Sequence, residues 1–363
     1  MAAYWVYLRG SGAHLLASTA ACFSSASRQC YSVLSSVPSF LPSRKALAPR
    51  PYRAPPPPLP TPQYLKIHEH CTFEYIEITP SVQTKDEGCV TLVLIHGAPG
   101  SYRDFRYLLP LLAKHPQFRI IAINLPGYGD STVAKTHYLE SISALPTAEL
   151  TLDAVRELCG GHKSSGNVFL VGHSFGAHTV INMAALNASE MATTAINFRG
   201  IALLAPAGCV PHRTLKLGPI ALLVNLLRSG NPLIVSAATH LVKLVYTKFV
   251  GFPSNSSPGP FVGAVMRAGT TDFALIREQV AALGNLQIPT LIAWSQRDEH
   301  IQIEVPEELG RLCHAGPRIA FAGGGHNIQK TRAEQVAAAL KEWIERVVAG
   351  EEAKEMMATR CLP

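Results

Sequence analysis

Residues 171–176 read Val171-Gly172-His173-Ser174-Phe175-Gly176, and the reading of the whole chain turns on them. They follow an apolar, β-branched run at 167–171 and open a helical pattern at 175–186. A Gly-x-Ser-x-Gly between strand and helix makes a sharp turn that pushes the serine out at the end of a sheet. Gly172 and Gly176 fit positions where a side chain would collide with neighbouring backbone. Ser174 is therefore a candidate nucleophile.

Outward from this turn, short apolar runs alternate with helical patterns. Strands are expected at 64–67 and 73–78, as an opening antiparallel pair, and then at 91–95, 119–124, 167–171, 201–205, 290–294 and 319–322. Helices are expected at 102–114, 151–159, 175–186 and 333–348. Strand–helix alternation implies parallel pairing with helices on both faces, an α/β fold with a mostly parallel sheet of about eight strands. One stretch, 207–287, breaks the alternation. It shows apolar helical patterns at 217–228 and 232–250, split by Gly230-Asn231-Pro232, then a Gly/Pro/Ser-rich loop. An insertion of this length between strands is expected to be a helical cap.

A serine hydroxyl is a weak nucleophile at neutral pH and needs a base oriented by a third group. The chain order expected after the serine is acid, then histidine. His326 sits in Phe321-Ala322-Gly323-Gly324-Gly325-His326, directly after the last expected core strand. Trp294-Ser295-Gln296-Arg297-Asp298 places Asp298 after the strand before it, with Glu299 as the alternative acid. The loop after 201–205 offers no carboxylate. An oxyanion would be held by two backbone N–H groups, those of Phe175 and of Ala98 in His96-Gly97-Ala98-Pro99-Gly100. Pro99 has no N–H to give. His96 and His173 read as structural, His300 as a loop residue and Asp130 as a turn former.

These pieces, with Leu125-Pro126-Gly127-Tyr128-Gly129-Asp130-Ser131, stand in one order over about residues 64–348. Together they resemble the α/β-hydrolase superfamily, and their wording is similar to its epoxide-hydrolase, dehalogenase and C–C-hydrolase branch. The resemblance implies a mixed, mostly parallel sheet, a helical cap and a Ser–His–Asp triad. Epoxide hydrolases and dehalogenases of that branch carry aspartate where this chain has Ser174, and epoxide hydrolases use two cap tyrosines where the expected cap has only Tyr246. The expected activity is thus hydrolysis of a carboxylic ester or thioester, of an acyl or lipid-like substrate, through an acyl-serine. The alternatives are epoxide opening, C–C cleavage or acyl transfer on the same scaffold, and a non-catalytic binding protein.

Composition narrows the classes further. Charged residues make up 16% and hydrophobic ones 47% of 363, which excludes a disordered polyelectrolyte. The net charge of +7 resides in residues 1–68, which hold seven bases and no acid; the remainder is neutral. A neutral body removes the basis for nucleic-acid binding. Residues 1–53, acid-free and carrying Arg and Ser, read as an organelle transit peptide, mitochondrial by expectation, with plastid and secretory pathway as alternatives. Residues 54–63 (APPPPLPTPQ) read as a stiff linker. The core is expected over 64–206 and 288–350, the cap over 207–287, and a tail over 351–363. Eight cysteines without CxxC or metal-like spacing read as buried thiols, and no cofactor or metal is implied.

Over a stretch that takes in most of the expected cap the charge is one-sided. No acid occurs between Glu190 and Asp272, while seven bases do: Arg199, Arg213, Lys216, Arg228, Lys243, Lys248 and Arg267. The partners expected are an acyl or lipid-like small molecule and, through this basic cap, a peripheral membrane contact. The competing reading is a packed lid with snorkelling bases at its rim.

Overall fold

A computed structural model describes residues 55–81, 89–160, 167–189, 196–351 and 358–363. The expected transit peptide at 1–53 lies outside them. The chain opens with β1 (Gln63–Ile67) and β2 (Cys71–Ile78), paired antiparallel. The central strands are β3 (Val90–Ile95), β4 (Phe118–Ile123), a two-residue β5 (Thr132–Val133), β6 (Val168–His173), β7 (Phe198–Leu204), β8 (Thr290–Ser295), β9 (Arg318–Phe321) and β10 (Thr359–Leu362). They form one sheet ordered β1-β2-β4-β3-β6-β7-β8-β9-β10, with β5 beside β2. The β2–β4 and β2–β5 pairs are antiparallel and every pair from β4 to β10 is parallel. The sheet has ten strands where about eight were expected. The expected tail supplies one of the extra two: its last residues add β10 to the edge at β9.

Alternation places the strands' side chains on two faces, and both are buried. Val93 and Ile95 of β3 and Leu170 of β6 enter one apolar cluster, while Leu92, Leu94, Phe169 and Val171 enter the other. That is why these strands read as unbroken apolar runs.

The helices are α1 (Leu109–Leu112), α2 (Tyr138–Ser141), α3 (Ala144–Cys159), α4 (Phe175–Ala188), α5 (Leu217–Leu227), α6 (Pro232–Val245), α7 (Gly259–Gly269), α8 (Phe273–Asn285), α9 (Glu304–Leu312), α10 (Ile328–Thr331) and α11 (Ala333–Val348). The single helix expected at 102–114 is instead a 3₁₀ turn at Tyr102–Phe105 followed by α1. Pro110 explains the break, since it cannot donate inside a helix but fits the first turn. Helix α3 begins seven residues earlier than expected; Pro146 sits in its first turn, where no intrahelical acceptor is needed.

Asn231 starts α6 by accepting from the N–H groups of Leu233 and Ile234, and Asp272 starts α8 in the same way. Helices α5, α6 and α7 share an apolar cluster built on Val224, Val242, Phe261 and Met266. Helix α8 instead sends Ile276, Val280 and Leu283 into the cluster on one face of the sheet. The inserted layer therefore ends before Phe273, and not at residue 287 as expected, because α8 belongs with α4 and α9.

Candidate active site

Ser174 occupies the step from β6 into α4 with φ 55° and ψ −123°, a conformation L-residues rarely adopt. The turn is tight enough that a Cβ at Gly172 would stand 2.6 Å from the Gly176 carbonyl, and one at Gly176 would strike the Ile95 carbonyl. The serine N–H donates to the Leu204 carbonyl at 3.0 Å, and its own carbonyl accepts from Ala177 and Ala207. These bonds hold the strained residue between β7 and α4.

The three candidate side chains meet although they are distant in sequence. His326 Nε2 lies 2.8 Å from Ser174 Oγ, and its Nδ1 lies 2.8 Å from Asp298 Oδ2. All three residues are buried, Asp298 with 5% of its surface exposed. An ionised carboxylate can only accept, so Nδ1–H donates to Asp298 and Nε2 is left to accept the serine proton. The second carboxylate oxygen accepts from the N–H groups of His300 (2.8 Å) and Ile301 (2.9 Å). Burial works to raise the Asp298 pKa. The hydrogen bond and charge of His326, with the two backbone N–H groups, outweigh it and hold the carboxyl below its ordinary value.

Glu299, the alternative acid, meets the backbone of His326. Its Oε2 accepts the His326 backbone N–H at 3.0 Å, and its side chain is 56% exposed. The structure thus brings Ser174, His326 and Asp298 together and gives Glu299 the task of fixing the His326 loop.

The first N–H groups of α4 have no intrahelical acceptor, and Phe175 is its first residue. Ala98 packs in the same small cluster as Phe175, and a Cβ on Gly97 would lie 3.0 Å from that of Ser174. The loop after β3 therefore passes beside the serine, as an oxyanion site requires. Two buried histidines hold this surround. His96 Nδ1–H donates to the Gly97 carbonyl (2.6 Å) while Nε2 accepts the Leu125 N–H (3.0 Å). Burial pushes its pKa down to about 4, so it stays neutral and ties the Ala98 loop to the Leu125–Ser131 loop. His173 donates from Nε2 to the His326 carbonyl at 3.1 Å; burial and the charge of His326 push it down to about 3.

Several residues of the site gave no signal in the sequence. Glu74 of β2 is buried and accepts from Tyr102 Oη (2.8 Å), Asn124 Nδ2 (2.5 Å) and the Asp130 N–H (2.8 Å), anchoring the Leu125–Ser131 loop. The loop after β7 adds His212, whose ring lies edge-on to Phe175 at 5.6 Å. Burial and the charges of His326 and His300 push His212 down to about 4. Arg213 donates to the Asp298 carbonyl, and His300 stands edge-on to His326 at 5.1 Å. The one hint available was position: loops at the carboxyl ends of parallel strands gather at one site. From α7, the fully buried Arg267 donates to the Phe175 carbonyl (2.9 Å) and Thr179 Oγ1 (2.6 Å), binding the inserted layer to the serine's helix. Among the described residues no cluster of His, Cys, Asp and Glu has metal-binding geometry.

Comparison with known proteins agrees with this architecture. An uncharacterised protein of Caenorhabditis elegans is 22% identical over 200 residues, 52% of this chain and 50% of its own length, so the match spans about half of that relative. Among solved structures, an esterase from Exiguobacterium antarcticum superposes with TM-score 0.56 at 17% identity, covering 78% of this chain and all of its own. A haloalkane dehalogenase from Bradyrhizobium elkani gives 0.58 at 19% identity, covering 80% and 99%. At these identities the likeness is one of fold, and two chemistries share it. The model of the alpha/beta hydrolase family matches residues 92–339, from β3 to α11, and the chain belongs to that family.

Proposed function

We propose that this hydrolase is a serine esterase or thioesterase acting on an acyl or lipid-like substrate through an acyl-serine. The observation that carries the reading is the unbroken Asp298–His326–Ser174 hydrogen-bond chain, 2.8 Å at both joints. As Ser174 Oγ attacks the substrate carbonyl carbon, its proton passes to His326 Nε2, and Asp298 stabilises the imidazolium without taking the proton. The carbonyl oxygen gains the negative charge and is met by the N–H groups of Phe175 and Ala98. The C–O or C–S bond then breaks as His326 returns the proton to the leaving oxygen or sulfur. Water, deprotonated by the same nitrogen, attacks the acyl-serine and releases the acid and free Ser174.

Epoxide opening fits less well. Ser174 stands where those enzymes carry aspartate, and Tyr246 is engaged within the inserted layer, stacked on Phe261 at 4.7 Å. The test is labelling by a fluorophosphonate probe. The wild-type chain is expected to react and Ser174→Ala to stay unlabelled. Folded wild-type protein that fails to label would assign the chain a non-catalytic binding role. A panel of acyl chain lengths and leaving groups then separates ester from thioester and from C–C substrates.

A further inference from the structure

The inserted layer has an outer side that the described fold leaves uncovered. In α6 and the π turn that extends it (Tyr246–Val250), Leu233 is 80% and Phe249 81% exposed, with Leu241 and Leu244 exposed between them. Leu233, Leu241 and Leu244, with Ala237 between them, recur every three or four residues and form one stripe along α6, and Lys248 and Phe249 are exposed in the π turn that follows. The opposite side, with Ala238 and Val242, is buried in the layer's own cluster. Helix α5 repeats the division: Leu217 and Leu222 face out while Val224 and Leu227 are buried. Large apolar residues grouped on one surface mark an interaction site more often than chance.

Length and composition would let Pro232–Val250, 19 residues of mean hydropathy 1.4, cross a membrane. Its inner side is committed to α5 and α7, however, and Lys243 and Lys248 interrupt it. Such a helix lies along an interface rather than through it.

Charge selects the occupant. Lys216 precedes Leu217, Lys243 stands between Leu241 and Leu244, and Lys248 precedes Phe249, with no acid anywhere from 191 to 271. A second copy of the chain would bring the same positive charges against this face and be repelled. A nucleic acid would match the lysines but leave the leucines and Phe249 in water. A surface of anionic lipid satisfies both, taking the apolar side chains at its acyl boundary and the ammonium groups at its phosphates.

We propose that the outer face of α5 and α6 seats the protein on an anionic lipid bilayer, with Leu233, Leu241, Leu244 and Phe249 inserted and Lys216, Lys243 and Lys248 at the headgroups. The inner side of α5 links this seat to the site, because Ile220 packs with Leu215 against the Phe175 cluster. A single helix, about 10 Å thick, would then separate the headgroups from the serine's surround. That consequence rests on the hydrolytic reading; the seating itself does not.

The full chain is tested by flotation with phosphatidylcholine vesicles containing or lacking phosphatidylglycerol. The wild type is expected to float with the anionic vesicles and to release as salt is raised. Lys243→Gln and Lys248→Gln should each weaken partitioning about fivefold. The double variant Leu233→Glu with Phe249→Glu should lose it at least about tenfold while keeping its circular dichroism and fluorophosphonate labelling. Loss of labelling with flotation intact would count against the hydrolytic reading alone. The basic head is common to every variant, so flotation that survives the double change overturns the proposal, as does wild-type protein that floats with neither vesicle. A dimer in sedimentation velocity that the double variant abolishes, without lipid binding, would assign the face to a second copy instead.

Discussion

Replacing Asp298 by asparagine removes one charge and almost no volume, yet the geometry predicts a near-complete loss of reactivity. Oδ1 accepts two backbone N–H groups, from His300 and Ile301, so the amide oxygen of an asparagine must occupy that place. Turning the amide over would set its NH₂ against two donors and leave buried groups unpaired, at about 1–3 kcal/mol each. The NH₂ group therefore faces His326 Nδ1, which must become an acceptor. The ring proton moves to Nε2, the nitrogen 2.8 Å from Ser174 Oγ, and the base is lost. In a triad of this design a wrong tautomer lowers turnover about 10⁴-fold, or about 5 kcal/mol. Glu299→Gln supplies the control. Its carboxylate accepts the His326 backbone N–H, stands 3.9 Å from His300 Nε2 and is half exposed, so its loss should change the rate by about twofold at most. The assay is the second-order rate of fluorophosphonate labelling near neutral pH, with circular dichroism to establish folding. Asp298→Asn within about tenfold of wild type, with Glu299→Gln severely slowed, would refute the assignment and make Glu299 the acid.

Two further outcomes follow from burial. His96, and His178 of α4, whose Nε2 donates to the Gly208 carbonyl at 2.9 Å, are buried neutral, each with its pKa pushed by burial from 6.5 down to about 4. Between those values the unfolded chain binds protons that the folded one refuses, so stability is full above about pH 6.5 and falls toward pH 4, by about 3 kcal/mol per group. Urea midpoints should drop on going from about pH 7 to about pH 5; a flat profile would contradict this accounting. Gly176→Ala should cost about 1–3 kcal/mol, because its Cβ meets the carbonyl oxygens of Ile95 and His96 and neither backbone can give way. Thermal melts would show it, and an unchanged midpoint would mean that the turn can widen.

Much of this was legible because the decisive residues announce themselves locally. Ser174 stands between two glycines, His326 after three, and Asp298 just past a β-branched run, so chain order was enough to pair them. The central strands could be read because both their faces are buried. The failures have a common cause, in that their determinants are not local. β10 is a four-residue edge strand whose partner, β9, lies about forty residues earlier, and nothing in Thr359–Leu362 alone demands pairing. Helix α8 looks like part of the insertion in sequence, because only its packing on α4 shows its allegiance. Glu74 resembles the polar half of an alternating strand until Tyr102, Asn124 and Asp130 close over it. His212 and Arg213 belong to no spacing rule and reach the triad only through the ends of β7 and β8.

The positive φ of Ser174 has a consequence for how such a molecule ages under selection. Holding a serine there costs about 1–3 kcal/mol, which the surrounding fold must offset at every moment, whether or not substrate is present. Glycine would adopt the same angles freely. Selection for heat resistance without a requirement for turnover would therefore favour Ser174→Gly, and a lineage released from its reaction would drift toward a sturdier, silent protein. On the proposed mechanism, the strain at this position is the standing cost of keeping a nucleophile there.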